Sequence, residues 1–456
     1  MFNRIFAVAS LTLAASGPLY AAPQEDVDAL RADFDAKLKS LQADYEARLK
    51  ALESRVQTNE IKADAAQQQA DTSASPPASA NAFNPEVSLI LQGAYIDRAG
   101  GERPITGFMP VDAPGSVARG FSLDATELVL ASNIDPYLRG FVNLAMVDDQ
   151  AEVEEAWFQS LGLGNGLTLK AGRFLSGVGY QNEKHPHAWD FADNNLMYSA
   201  LFGEHLVQDG LQLRWLAPTE LFMELGAEVA KGQFFPGSDN GADKNGAGSW
   251  AGFAHLGGDV GASNSWRGGL SYLHAAPRDR ESTLSDVNAV DALTRFSGTS
   301  ATWMADFVWK WAPEGNAQQR NLIFATEYFK RDENGDLQCQ NNLLEGGACT
   351  GLQDRYDSAQ SGGYAQAIYQ FMPRWRTGVR YDRLDAGSVN AGVNRALLDM
   401  PDFNPTRWSL MTDYSPSEFS RFRLQYNHDK SLQDNTDNAL ILQYIMSLGP
   451  HGAHKF

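Results

Sequence analysis

The chain has only two cysteines in 456 residues, so neither a disulfide framework nor a cysteine-rich metal centre is encoded. No apolar run approaches the roughly 20 residues of a transmembrane helix. The nearest, Ile5 to Ala15, stops short at the extreme N-terminus. Basic charge is scarce too: 37 Lys and Arg against 56 Asp and Glu, a net charge of −19. That argues against nucleic acid as a partner, which needs basic surface. Neither G-x-S-x-G nor H-E-x-x-H occurs, and no other catalytic constellation stands out, so the chain reads as a non-enzyme.

The N-terminus is the first feature that is present. Arg4 precedes the apolar stretch, and Leu19-Tyr20-Ala21 offers a cleavage site after Ala21. Residues 1–21 therefore read as a secretory signal peptide. In an oxidising compartment, Cys339 and Cys349 are expected to close a short loop by a disulfide. A metal-binding thiol pair is the other reading, but no CxxC spacing supports it.

Residues 22–61 carry apolar positions at Val27, Leu30, Phe34, Leu38, Leu41, Tyr45, Leu49, Leu52 and Val56, with Asp, Glu, Lys and Arg between them. The spacing makes an eleven-residue repeat, ALRADFDAKLK followed by SLQADYEARLK. Such a period keeps one stripe on a nearly straight helix. A lone helix cannot bury that stripe, so a periplasmic coiled coil is expected; an amphipathic helix lying on a surface such as peptidoglycan is the alternative. Residues 62–83, rich in Ala, Gln, Ser and Pro, read as a flexible linker.

From residue 84 to 456 the texture changes to short alternating segments, 16 of them. Trp303, Ala305, Phe307, Trp309 and Trp311 share one face while Asp306 and Lys310 take the other. Phe422, Leu424 and Tyr426 likewise oppose Arg421, Arg423, Gln425 and Asn427. Apolar-out and polar-in at period two, over about 10 residues, marks a transmembrane β-barrel. Connections alternate between short turns, such as Asp135-Pro136 and Met372 to Arg374, and long loops at 98–120, 175–207, 231–248, 276–300, 331–361 and 385–404. A β-sandwich has no reason to sort loop length by parity. The expectation is an all-β transmembrane barrel of about 16 antiparallel strands in the outer membrane, in contact with its lipid. Phe456 ends the chain, although Pro450 interrupts a simple final strand.

The loop 175–207 follows the fifth strand. It carries Glu183, Asp190, Asp193 and Glu204 against one Lys184. By face assignment Arg376, Arg380, Arg407, Arg421 and Arg423 look into the lumen. An inward-folded acidic loop opposite a basic wall would set a transverse field across a narrow water-filled pore, sorting small hydrophilic solutes and ions. Solvated lumen residues with no selective role are the plainer reading. The same loop holds His185-Pro186-His187, and His451 and His454 lie near the C-terminus. Imidazole and carboxylate are zinc ligands, so His185 and His187 are candidate ligands for a bound or transported zinc ion, although HPH is not a standard spacing. Asp332 to Asp336 (DENGD) partly matches a calcium loop, with its glycine at the wrong position.

The stretch EVEEAWFQSLGLGNGLTLKAGRF, with Glu154 to Phe174 as its body, resembles phosphate-selective porins of the O and P type. That likeness implies a 16-stranded trimeric barrel, in some members behind an N-terminal coiled coil. A second resemblance rests on Phe83 to Gln92, Ala188 to Asp193, Leu213 to Thr219, Gly257 to Ala262 and the terminal Gly452 to Phe456. These are similar to outer-membrane proteins labelled zinc-regulated TonB-dependent receptors. That label implies a 22-stranded barrel with a plugged lumen and energised uptake. Only about 60 residues separate the signal from the first strand, and they read as coiled coil and linker, which favours passive diffusion without a plug.

Three functions follow as expectations: a homotrimeric diffusion porin, a zinc-responsive receptor or channel using the loop histidines, and a tether between outer membrane and cell wall.

Overall fold

The computed structural model describes residues 85–99, 105–109, 119–123, 126–147, 150–341 and 346–449, together with Ala36, Lys37 and Lys39, which are helical. The signal peptide, the rest of the coiled-coil segment, the linker, His451, His454 and Phe456 lie outside the described residues.

The first strands are β1 (Glu86–Arg98), β2 (Gly120–Leu123), β3 (Thr126–Asn133), β4 (Leu138–Val147), β5 (Gln150–Ser160) and β6 (Leu167–Leu175). Then come β7 (Val207–Leu216), β8 (Phe222–Ala230), β9 (Ser249–Val260), β10 (Asn264–Ala275), β11 (Arg280–Ser285) and β12 (Asp291–Trp311). The last are β13 (Asn321–Gln340), β14 (Thr350–Met372), β15 (Trp375–Asn390), β16 (Thr406–Ser417), β17 (Ser420–Leu432) and β18 (Asn435–Leu448). Every pairing is antiparallel, and β1 joins β18 from Leu89–Leu448 to Arg98–Ala439, which closes the ring. β2 and β3 both lie along β1, and β10 and β11 both lie along β12. Each couple forms one stave, so the barrel has 16 staves. This matches the expected count and corrects the 22 strands that the receptor label implied. Among the described residues, no helix is long and apolar enough to cross a membrane.

Side-chain alternation builds the wall. Trp303, Phe307, Trp408, Leu410, Phe422, Leu424 and Tyr426 are exposed on the outside, while Asp306, Arg407, Ser409, Arg423 and Gln425 are buried on the inside. An outward apolar surface on a closed ring leaves no unpaired strand edge, which hydrocarbon would penalise.

The expected long loops at 276–300 and 331–361 are largely ladder, and β15 runs on to Asn390, six residues into the expected loop 385–404. β12, β13 and β14 run for 21, 20 and 23 residues, about twice the 9–11 that cross a bilayer. Their distal halves are rich in Ser, Thr, Gly, Asp and Arg, so the period-two apolar signal fades while backbone pairing continues. Asp332 to Asp336 lies inside β13, paired with Ala301 to Ser297, and so forms no calcium loop. Cys339 and Cys349 are joined by the expected disulfide at the tip of the β13–β14 hairpin. They are buried there with Phe296, Leu337 and Tyr356.

Candidate functional site

The segment between β6 and β7 folds into the barrel. It carries a short helix, α1 (Leu196–Phe202), capped by the Asn195 side chain, which accepts from the Tyr198 N–H. Leu196, Met197, Tyr198, Leu201 and Phe202 pack against inward-facing Ala251, Leu273, Met304, Phe329, Tyr364 and Leu384. Not one of residues 174–209 is exposed.

Inward-facing carboxylates hold the loop along its length. On β8, Glu228 accepts from the Ser176 hydroxyl at 2.6 Å and the Gly177 N–H at 2.8 Å. On β13, Glu327 accepts from the Tyr180 and Gln181 N–H groups and from the Tyr198 and Tyr364 hydroxyls, at 2.7 to 3.1 Å. A Cβ on Gly179 would lie 2.4 Å from Glu327 Oε2, so this approach requires glycine, whose φ is +68°.

On β15 to β17 the grip is basic. Asp190 pairs with Arg376 at 3.1 Å. Asp193 pairs with Arg380 at 2.9 Å and Arg407 at 3.1 Å, and accepts from Gln425 and Asn427. Arg407 also donates to the Asn194 carbonyl. Arg423 donates to the Trp189 carbonyl at 2.9 Å and pairs with Asp413, while Arg421 lies 3.8 Å from Asp413 and stays 27% exposed. Burial would push the Asp193 carboxyl up, but Arg407 and Arg380 outweigh it and hold it down at about 2. Partial removal from water would raise Asp190 as well, yet Arg376 and Lys184 keep it below the usual range. These charges touch; they do not face each other across open water as expected from sequence. Glu183 pairs with Arg214 on β7 at 2.6 Å. Glu204 joins no predicted arginine; burial, then Glu154 and Glu127, push its carboxyl up to about 8.

On β3 to β5 the grip is reversed in sign. His185 Nδ1 lies 3.2 Å from Glu154 Oε2 and 3.6 Å from Glu127 Oε2, and its Nε2 lies 3.0 Å from Glu155 Oε1. His187 Nδ1 lies 2.7 Å from Glu127 Oε1. The two imidazoles stack, with ring centres 5.7 Å apart. Asn143 Nδ2 donates to Glu127 at 2.9 Å and Glu154 at 2.7 Å. Burial disfavours a charged His185, but Glu154 and Glu127 outweigh it and raise its pKa well above the ordinary value.

A break in the ladder makes this cluster. Asn143 pairs with Glu155 and Leu144 with Val153, so Glu154 is a bulge residue with no partner on β4. Regular alternation sends neighbouring residues to opposite faces, whereas a bulge re-aims a side chain. Both glutamates therefore contact His185 inside the barrel. Sequence reasoning missed Glu127, Asn143, Glu154 and Glu155 as site residues. The adjacent Glu pair in an otherwise alternating strand was the available signal.

No protein-family model matches the chain. An uncharacterized protein of Aquifex aeolicus (strain VF5) is 30% identical over 407 residues, covering 83% of this chain and 81% of that protein. The chain belongs to its family. Among solved structures, the chain is similar to a loop-deleted OmpT of Vibrio cholerae (13% identity, 80% of this chain and 99% of that one, TM-score 0.48). It is also similar to OprB of Pseudomonas putida (14% identity, 80% and 94%, TM-score 0.47) and to the outer membrane channel DcaP of Acinetobacter baumannii (11% identity, 80% and 97%, TM-score 0.47). The stave count rests on the strand pairing within this chain. None of these relatives is described by zinc or by TonB.

Proposed function

We propose that the chain is an outer-membrane channel of porin type whose inward loop, residues 175–207, narrows the lumen to a charged path for small hydrophilic solutes or ions. The observation that carries this is a closed 16-stave ring, apolar outside and lined inside by buried charge. A wide pore would leave one side of the loop exposed to water. Glu183, Lys184, Asp190, Asp193, Arg376 and Arg421 are among the polar groups that remain half-buried, and the proposed path runs past them. Passive diffusion along it needs no energised plug.

Copies of the barrel are proposed to meet as a homotrimer. A groove of about 700 Å³ on the outer face, lined by Tyr95, Phe121, Trp375, Tyr414, Phe422 and Tyr444 near the β1–β18 seam, supports this reading. A trimer band on a native gel that is lost in a Phe422→Ala, Tyr444→Ala double variant is the expected result; an unchanged trimer removes the groove from the interface.

Planar-bilayer recording tests the channel. Full-length protein should show a small, steady conductance, and replacing residues 178–204 by a short Gly-Ser turn should enlarge it severalfold. A folded barrel that stays closed in both forms overturns the reading and leaves a membrane-anchored tether.

A further inference from the structure

We propose that Glu127, Glu154 and His185 form a binding site for a first-row divalent transition-metal ion between the barrel wall and the inward loop. The proposal is independent of the channel reading and rests on how the donor atoms are shared. One carboxylate oxygen each of Glu127 and Glu154 and one ring nitrogen of His185 lie within 4.8 Å of one another, and His185 Nδ1 lies 3.2 Å from Glu154 Oε2 and 3.6 Å from Glu127 Oε2. Metal–ligand bonds of about 2.0–2.2 Å place tetrahedral donors about 3.4 Å apart, so an ion fits with little movement.

Two of the three donors, His185 and Glu127, are already oriented by their other atom. Glu155 Oε1 lies 3.0 Å from His185 Nε2, so Nε2–H donates to it and leaves Nδ1 as the donor to the ion. His187 Nδ1 takes Glu127 Oε1 at 2.7 Å, which leaves Oε2 inward. A carboxylate on the far nitrogen of a ligating histidine is what metal sites use to fix the ring and raise its basicity.

Asn143 supplies an independent sign. It is wholly buried, and its Nδ2 lies 2.9, 2.7 and 3.3 Å from the three donor atoms. Its Oδ1 has no hydrogen-bond partner. Turning the amide over brings that oxygen to the same point as a fourth ligand. Two buried carboxylates, Glu127 and Glu155, and the half-buried Glu154 around one imidazole favour a cation, and the nitrogen donor selects a transition ion over magnesium or calcium.

The test uses full-length protein refolded in detergent without metal, titrated with Co²⁺ and followed by visible absorption. Heat-modifiable gel mobility confirms that each variant is folded. The expected result is one Co²⁺ per chain with the intense absorption of a four-coordinate site, displaced by Zn²⁺ and untouched by Mg²⁺. Glu154→Gln and Glu127→Gln should each weaken binding by about tenfold or more, and Glu155→Gln, which acts only through His185, by about tenfold. Folded wild-type protein that binds no Co²⁺, or folded glutamine variants that bind as tightly as wild type, overturns the proposal.

Discussion

On β3 to β5 three glutamates close on two histidines, and on β15 to β17 five arginines face two aspartates. The two walls hold the same loop with opposite signs. The basic wall is redundant: Asp193 has two guanidiniums and two amides. The acidic wall has few members, each of which holds at least two neighbours at once. Redundancy spreads a loss over several partners, while sharing passes it on.

The largest effect is expected where a charge is stranded. Arg380→Ala with Arg407→Ala leaves the half-buried Asp193 without a cation, at a cost of up to about 3–5 kcal/mol. Amide exchange over residues 176–206 should accelerate correspondingly, and unchanged exchange would mean that the basic wall does not hold the loop. Next is Glu327→Leu, which strips an acceptor from two loop N–H groups and the Tyr198 hydroxyl. At about 1–3 kcal/mol per buried unsatisfied group, opening should spread from residues 179–182. On the acidic wall, Glu127→Ala leaves His187 and Asn143 short of one acceptor each, and the same scale gives a smaller opening confined to residues 183–188.

Acid should separate the walls. The Asp193 carboxyl is depressed from 3.8 to about 2 on folding, so its contribution is complete above about pH 3.8 and is lost as pH falls through about 2. Pepsin should therefore cut residues 190–194 at pH 2 far faster than at pH 4. Equal cutting would show that the arginines do not set the grip. The smallest effect at the lumen belongs to the disulfide: Cys339→Ser with Cys349→Ser should loosen the hairpin tip by about 2–3 kcal/mol and leave conductance unchanged.

Much of this was legible in sequence because it follows simple periods. The outward rows Trp303–Phe307 and Phe422–Leu424–Tyr426, and the inward Arg421 and Arg423, sit where alternation puts them. The distal halves of β12 to β15 were not legible, since polar residues on both faces remove the contrast that marks a strand. The loop's entry into the barrel was expected from its place after the fifth strand, and Asp190 and Asp193 do meet the predicted arginines. Glu183 reaches Arg214 instead and Glu204 comes near Glu154 and Glu127, because a loop attached around the ring brings its charges to different staves. The acidic wall was hidden for a different reason: alternation assigns Glu154 and Glu155 to opposite faces, and only a register break brings both to His185.

That break also works as a counting mark. Deleting Glu154 would let β4 and β5 pair without interruption, with Asn143 still against Glu155 and Leu144 still against Val153. The rest of the ladder would keep its partners. When the sequences of this family are aligned, a gap of one residue at this point should separate barrels that have a single glutamate facing the loop from those that have two.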